Sequence, residues 1–343
     1  MTSKSPNANA EATKAKAKDQ RRAKREANVD AGLEALSLWL GDAMGAGLKT
    51  LRQQPPSQWA ALRARLVDAQ APGLARRIDR VACAAQESGP WEAALLTELA
   101  QLHLLIQGYR RRQVFDPLFQ ADLDTFIGWS QTKAQAYGCP AVADRWQVVG
   151  CHILPERGGD LMCQRAWLWG HTQRRFAVVV EFAPAKEPQR LPDHWCAGRV
   201  FQGALHLFPS TVPLRAVAGT TWHWLPGAIP VPGFALGVST VAQALVPYRR
   251  ALAQLPWLER YPVALASVRM ARDTQGWWVV DAEAEGLPLA VDEPGSLVLA
   301  SLTGGMPVAL FGEWQDTALT PLGVWAEGEW VDLVEVSSGM ARL

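Results

Sequence analysis

From Asp30 onward apolar residues recur at helical spacing: Leu33, Leu36, Leu40, Ala43, Gly47 and Leu51 share one stripe. This pattern predicts a helix with Asp30 as N-cap, ended by Pro55-Pro56. Ser57 is placed to cap a second helix, whose Trp59, Leu62 and Leu66 lie on one face. The period then breaks at Ala71-Pro72-Gly73 and resumes with Leu74, Ile78 and Val81. Proline disfavours the α region for the residue before it and suits the first turn of a new helix, so the break reads as a tight helix–helix corner. Asp68 or Gln70 is expected to accept the unsatisfied N–H groups of the new helix. Ser88-Gly89-Pro90 opens a third long segment with Leu95, Leu99, Leu102 and Ile106 in register, and "FQADLDTFIGW" supplies a further helix ending near Gly128.

After Gly138-Cys139-Pro140 the period shortens. "RWQVVGCHIL", "LMCQRAWLWG", "RFAVVVEFA" and "RVFQGALHLFP" read as strands, followed by a proline-rich stretch from Pro209 to Pro232. One helix is expected among the strands, near 240–258. Beyond it, two strands flank the turn Asp273–Gly276, and Gly312-x-Trp314 and Gly328-x-Trp330 suggest hairpins in a small barrel or open sheet. "SLTGGMP" is read as a turn. Of the sixteen tryptophans only Trp39, Trp59, Trp91 and Trp129 precede residue 131, and aromatic residues favour pleated, half-buried surfaces. The fold class is therefore α+β: an N-terminal helical bundle followed by a mainly antiparallel β-rich domain. The expected layout is a disordered basic tail over 1–28, a helical domain over 29–130 and a β-rich domain over 141–343.

Composition sharpens this little. A chain of 343 residues suits two domains, and a formal net charge of +1 creates no global field for nucleic acid or anionic membranes. No apolar run is long enough to cross a bilayer, and the Lys/Ala-rich start has no apolar core of a secretory signal. The five cysteines (Cys83, Cys139, Cys151, Cys163 and Cys196) are odd in number and widely spaced, which fits free, buried thiols in a reducing cytoplasm. Residues 14–25 concentrate Lys14, Lys16, Lys18, Arg21, Arg22, Lys24 and Arg25 without an apolar stripe. That segment reads as a solvated tail or helix extension, with a nucleic-acid-binding arm as the sharper alternative.

The chemistry-bearing patterns are sparse. "GDAMGAGLK" lacks the ending of a phosphate loop and lies in a helical pattern; neither a nucleophile-elbow motif nor a zinc-protease motif occurs. Cys151-His152, Cys163 and His194-x-Cys196 are soft ligands without paired spacing, and neighbours on a strand face opposite ways, so no metal site is assigned. His103 reads as a core or helix-edge residue. Arg110–Arg112 and Arg174-Arg175 read as solvated helix-end and turn charges. Trp222-His223-Trp224 and Trp277-Trp278 read as core and edge aromatics rather than a base-stacking platform. No catalytic, cofactor-binding or metal residue and no cofactor is assigned.

"ANVDAGLEALSLWLGDAMGAGL" followed by "WAALRARLVDAQAPGLARRI" resembles the region after the zinc finger in bacterial SWIM zinc-finger family proteins. "WLWG", "FAVVVEFA" and "ALHLFPSTVPLRA" continue the resemblance in the same order. The family's zinc motif, C-x-C followed by C-x-H, occurs nowhere in these residues, so the resemblance carries over no zinc ligand; a finger-less relative or a finger encoded upstream is expected. It implies a cytoplasmic protein that interacts with proteins or DNA. The partners it implies are a MoxR-type AAA+ ATPase or a von Willebrand factor A protein. Three functions are thus in view: a non-enzymatic interaction or scaffold protein, possible adaptor of such an ATPase; a nucleic-acid binder using 14–25; and an enzyme with dispersed residues. No membrane partner is expected.

Overall fold

The computed structural model describes residues 6–156, 160–227, 230–315 and 317–333. The chain divides into two compact units, Met1–Gln131 and Thr132–Leu343.

The first unit is helical: α1 (Pro6–Ala46), α2 (Leu48–Arg52), α3 (Pro56–Asp68), α4 (Pro72–Gln86), α5 (Trp91–Arg110) and α6 (Pro117–Ile127). Its core is formed by the anticipated stripes, with Leu33, Leu36, Leu66, Leu74, Ile78, Leu95, Leu99 and Ile106 all buried. The expected disordered tail over 1–28 is corrected: from Pro6 it is continuous with α1. Residues 1–5, and the side chains of Lys14, Lys18 and Asp19, lie outside what is described. Alanine, lysine, arginine and glutamate are strong helix formers, so the helix extends well beyond its buried stripe, which begins at Val29. Asp30 is accordingly no cap. It lies inside α1, 3.6 Å from Arg112. Gly47, with φ +88°, separates α1 from α2, so "GDAMGAGLK" is not one helix.

The corner at 69–73 is closed differently from the sequence expectation. Neither Asp68 nor Gln70 caps α4, whose N-cap is Ala71 with no side-chain bond, and Ser57 does not cap α3, whose N-cap is Pro55. Instead the backbone closes α3: Gln70 N–H donates to the Val67 carbonyl and Ala71 N–H to the Leu66 carbonyl, both at 2.9 Å. This is the Schellman arrangement, with Gln70 at the left-handed position, φ +60°. A residue with a Cβ is disfavoured there. Gln70→Gly is therefore expected to raise stability by about 0.5–1 kcal/mol while Asp68→Ala leaves it within about 0.5 kcal/mol, as read from urea unfolding. A marked loss in Asp68→Ala would restore the side-chain cap.

The second unit opens with α7 (Lys133–Tyr137), whose Thr132 and Gln135 form a capping box. Strands β1 (Ala141–Pro155), β2 (Leu161–Gly170), β3 (Arg175–Pro184), β4 (Val200–Leu207) and β5 (Arg215–Trp224) follow. They close a barrel in the order β1-β2-β3-β5-β4, antiparallel except for the β3–β5 seam. β5 occupies the proline-free interval of the proline-rich stretch. Then come α8 (Gly233–Leu236), α9 (Val241–Gln254), β6 (Arg260–Arg272), β7 (Trp277–Val280), β8 (Gly286–Pro288), α10 (Glu293–Thr303), β9 (Val308–Gln315), β10 (Ala318–Ala326) and β11 (Glu329–Asp332). Their sheet runs β11-β10-β9-β6-β7-β8. The inserted helix occupies Val241–Gln254, while α10 is an additional helix, with "SLTGGMP" at its carboxyl end. Its signals were present: Asp292 accepts from Gly295 N–H, Pro294 stands in the first turn, and Gly304 takes φ +54°.

Period-two alternation sends Trp146, Val148, Ala166, Leu168, Phe201 and Leu205 into the barrel. The opposite set, Val149, Trp167 and Val178, packs with Phe311, Leu322 and Trp330 of the second sheet. A Cβ on Gly150 would lie 2.6 Å from Leu322 Cβ, and one on Gly323 2.6 Å from the Val149 carbonyl. Barrel and sheet therefore meet at backbone distance.

Candidate functional site

Among the described residues, two polar features where barrel and sheet meet are candidates for a site. The first is a buried charge cluster. Glu313 on β9 is 1% exposed. Its carboxylate accepts from Arg165 Nε at 2.9 Å and Trp167 Nε1 at 2.8 Å, while Arg260 lies at 3.3 Å and His152 Nε2 at 3.6 Å. Burial pushes the Glu313 pKa up, but Arg165, His152 and Arg260 outweigh it and hold the carboxyl below its ordinary value. Burial pushes His152 down to about 4 despite the nearby carboxylate. At neutral pH the pair is thus a saturated carboxylate and a neutral imidazole. A general base needs a pKa near the working pH and a free lone pair toward substrate. Glu313, on β9, instead ties β2 of the barrel to β6 of the sheet through Arg165, Trp167 and Arg260, with the neutral His152 of β1 packed beside it.

The second feature is a cleft of about 760 Å³ between the β2–β3 end of the barrel and α9 with β6. That volume falls within the range of ligand-binding clefts, about 300–1,000 Å³. Its apolar wall includes Trp169, Phe176, Leu214 and Leu236. Its polar lining contains Arg174, Arg175 and Arg250 and, among the described residues, no carboxylate. The arginines are placed by specific contacts. Asp144, a buried carboxylate, accepts from Thr172 N–H and Gln173 N–H at 2.8–3.1 Å and so holds the β2–β3 turn. Burial would raise the pKa of Asp144, but these backbone donors lower it below the usual carboxylate range. The turn forces Arg174 to φ +50°, a left-handed conformation that side-chain-bearing residues rarely adopt. Arg175 donates to the Pro213 carbonyl at 2.7 Å. On α9, Gln243, Pro247, Arg250 and Gln254 fall at helical spacing along one cleft-lining face. The amino end of α9 is anchored by Asp281, which accepts from Val241 N–H at 2.7 Å.

The other residues singled out by the sequence are dispersed. Cys151 packs in the barrel core while His152, next on the strand, turns to Glu313. All five cysteines are free, but only Cys151 and Cys163 are buried as expected; Cys83 is exposed and Cys139 and Cys196 are half-buried. Burial pushes the Cys151 thiol up to about 12 and the Cys163 thiol up to about 11. Among the described residues no group of three or more His, Cys, Asp or Glu could hold a metal ion. Trp222 and Trp224 pack on each other and on Trp195 and Phe201 at 5.4–6.1 Å, filling one region of the barrel, with Arg199 4.0 Å over Trp224. Trp277 lies 5.2 Å from Arg272. His103 is exposed on α5, and Arg112 stacks 4.2 Å from the Tyr109 ring centroid. Of the basic segment 14–25, Arg22 pairs with Glu26 at 3.1 Å and Arg25 lies 4.9 Å over Trp129. Of these residues Arg174 and Arg175 line the cleft, which the sequence could not show because α9 and the 211–214 loop complete it. No described helix is long and apolar enough to cross a membrane.

Residues 24–127 match the family model of the SWIM-associated four-helix bundle domain. The match covers the helical part of the resemblance and begins inside α1. No curated protein and no solved structure matches the chain.

Proposed function

Taking residues 24–127 as a SWIM-associated four-helix bundle domain, we propose that this chain is a non-enzymatic interaction protein of the cytoplasm, a scaffold whose second unit receives a partner. The observation that carries this reading is the cleft: three arginines share it with an apolar wall and, among the described residues, no carboxylate. The buried carboxylates Glu313, Asp144 and Asp281 are each saturated by donors and serve to join or cap elements. A cationic, partly apolar recess supports binding more than acid–base chemistry. By analogy with the family resemblance, the partner belongs to a MoxR-type AAA+ ATPase or von Willebrand factor A system.

Co-purification of the full chain from native cells tests this. The expected result is a stoichiometric protein partner that survives nuclease treatment. Retention of nucleic acid alone, in a salt-sensitive complex lost on removing residues 1–28, would replace this reading with binding through the basic segment 14–25.

A further inference from the structure

The chemistry of the cleft narrows what it can hold. Arginine forks pair with carboxylates in two-point geometry, and among the described residues no carboxylate lines this recess beside Arg174, Arg175 or Arg250. An anion alone would not use the apolar wall. A nucleic-acid strand needs cations repeated along its backbone and open ring faces for its bases. Here the net charge is +1, and the Trp169 and Phe176 rings pack on each other at 4.7 Å. The opposite wall suits a peptide backbone. Gln243 and Gln254 offer amide groups, and Pro247 withdraws the helical donor that the Gln243 carbonyl would otherwise have.

We propose that this cleft is the docking site for an extended acidic segment of a partner protein. Its carboxylates are held by Arg174 and Arg250, and an apolar side chain rests against Phe176 and Leu236. This deepens, and rests on, the interaction reading above. The turn fixes where Arg174 stands at the cleft. Glycine would adopt φ +50° without strain, yet arginine stands there, on a turn pinned by Asp144.

The test uses the full chain and a short fluorescein-labelled peptide alternating glutamate with leucine, with a lysine–leucine peptide and a single-stranded oligonucleotide as comparisons. The acidic peptide is expected to bind, more weakly as salt rises. R174G and R250Q should each weaken it about tenfold. R174G should at the same time raise the melting temperature, which a purely structural arginine would not do while losing affinity. Peptide binding unchanged in both variants overturns the proposal, as does equal arginine-dependent binding of the lysine peptide or the oligonucleotide. Failure of any arginine-dependent binding to the acidic peptide overturns it too. If wild type and both variants retain the same native partner equally, the cleft is not its dock although the interaction reading stands. If wild type retains no protein partner, it is the interaction reading that fails.

Discussion

Glu313→Gln lowers the stability of the second unit by about 3 kcal/mol, toward the lower end of the cost of breaking a buried ion pair. The substitution preserves shape and removes the charge that Arg165, Arg260 and Trp167 converge on. Arg165 and Arg260 keep 17% and 27% of their side chains exposed, so water offsets part of the loss. Urea unfolding of the two proteins checks this; a difference below about 1 kcal/mol would show that the cluster does not join barrel to sheet. The same cluster sets the pH response. The folded Glu313 pKa is depressed, so its contribution is complete above the ordinary value of 4.5 and is lost as pH falls through the folded value. His152 acts in a higher window. The unfolded chain takes up its proton near 6.5 and the folded chain only near 4, so stability declines as pH falls from 6.5 to 4. His152→Gln should flatten that decline, measured as melting temperature against pH. An unaltered slope would exclude His152 as its source.

Gly73→Ala is expected to destabilise the helical unit by about 2–3 kcal/mol, at the upper end of what overpacking costs. A Cβ on Gly73 would run into the Phe126 carbonyl and stand 2.6 Å from Ile127 C and 2.7 Å from Gly128 N. Every one of these atoms is backbone at the carboxyl end of α6, so no side chain can swing aside. The reciprocal contact is equally close: a Cβ on Gly128 would lie 2.5 Å from Gly73 N. The amino end of α4 thus abuts the carboxyl end of α6, where their dipoles attract. Gly41 supplies the contrast. It lies within α1 with nothing within 4 Å of its missing Cβ, so Gly41→Ala should stabilise by about 0.5–1 kcal/mol. Opposite signs for the two substitutions in thermal or urea unfolding would establish the contact. Stabilisation by both would dismiss it.

These two sites also divide what could be read along the chain from what could not. The helical stripes, the change of period after Gly138 and the α+β class were legible, because the 3.6- and two-residue periods record which face of each element is buried. The stop at Ala71-Pro72-Gly73 was legible for the same local reason, since proline disfavours the α region for the residue before it. That neither Asp68 nor Gln70 caps α4, and that the corner is closed by the backbone at the end of α3 with Gln70 left-handed, was not, since several arrangements satisfy the free groups of a helix end. The start of α1 was hidden as well: an apolar stripe marks where a helix becomes buried, not where it begins. Barrel closure through the short β3–β5 seam, and the meeting of Arg165 with Glu313 across 148 positions, depend on pairing between strands that no local pattern specifies. The cleft belongs to that second class. Arg174 looks like any turn arginine until Asp144, thirty positions earlier, pins its loop and α9 closes the opposite wall. Local physics selects the elements, but charge complementarity between distant elements exists only once packing has brought them together.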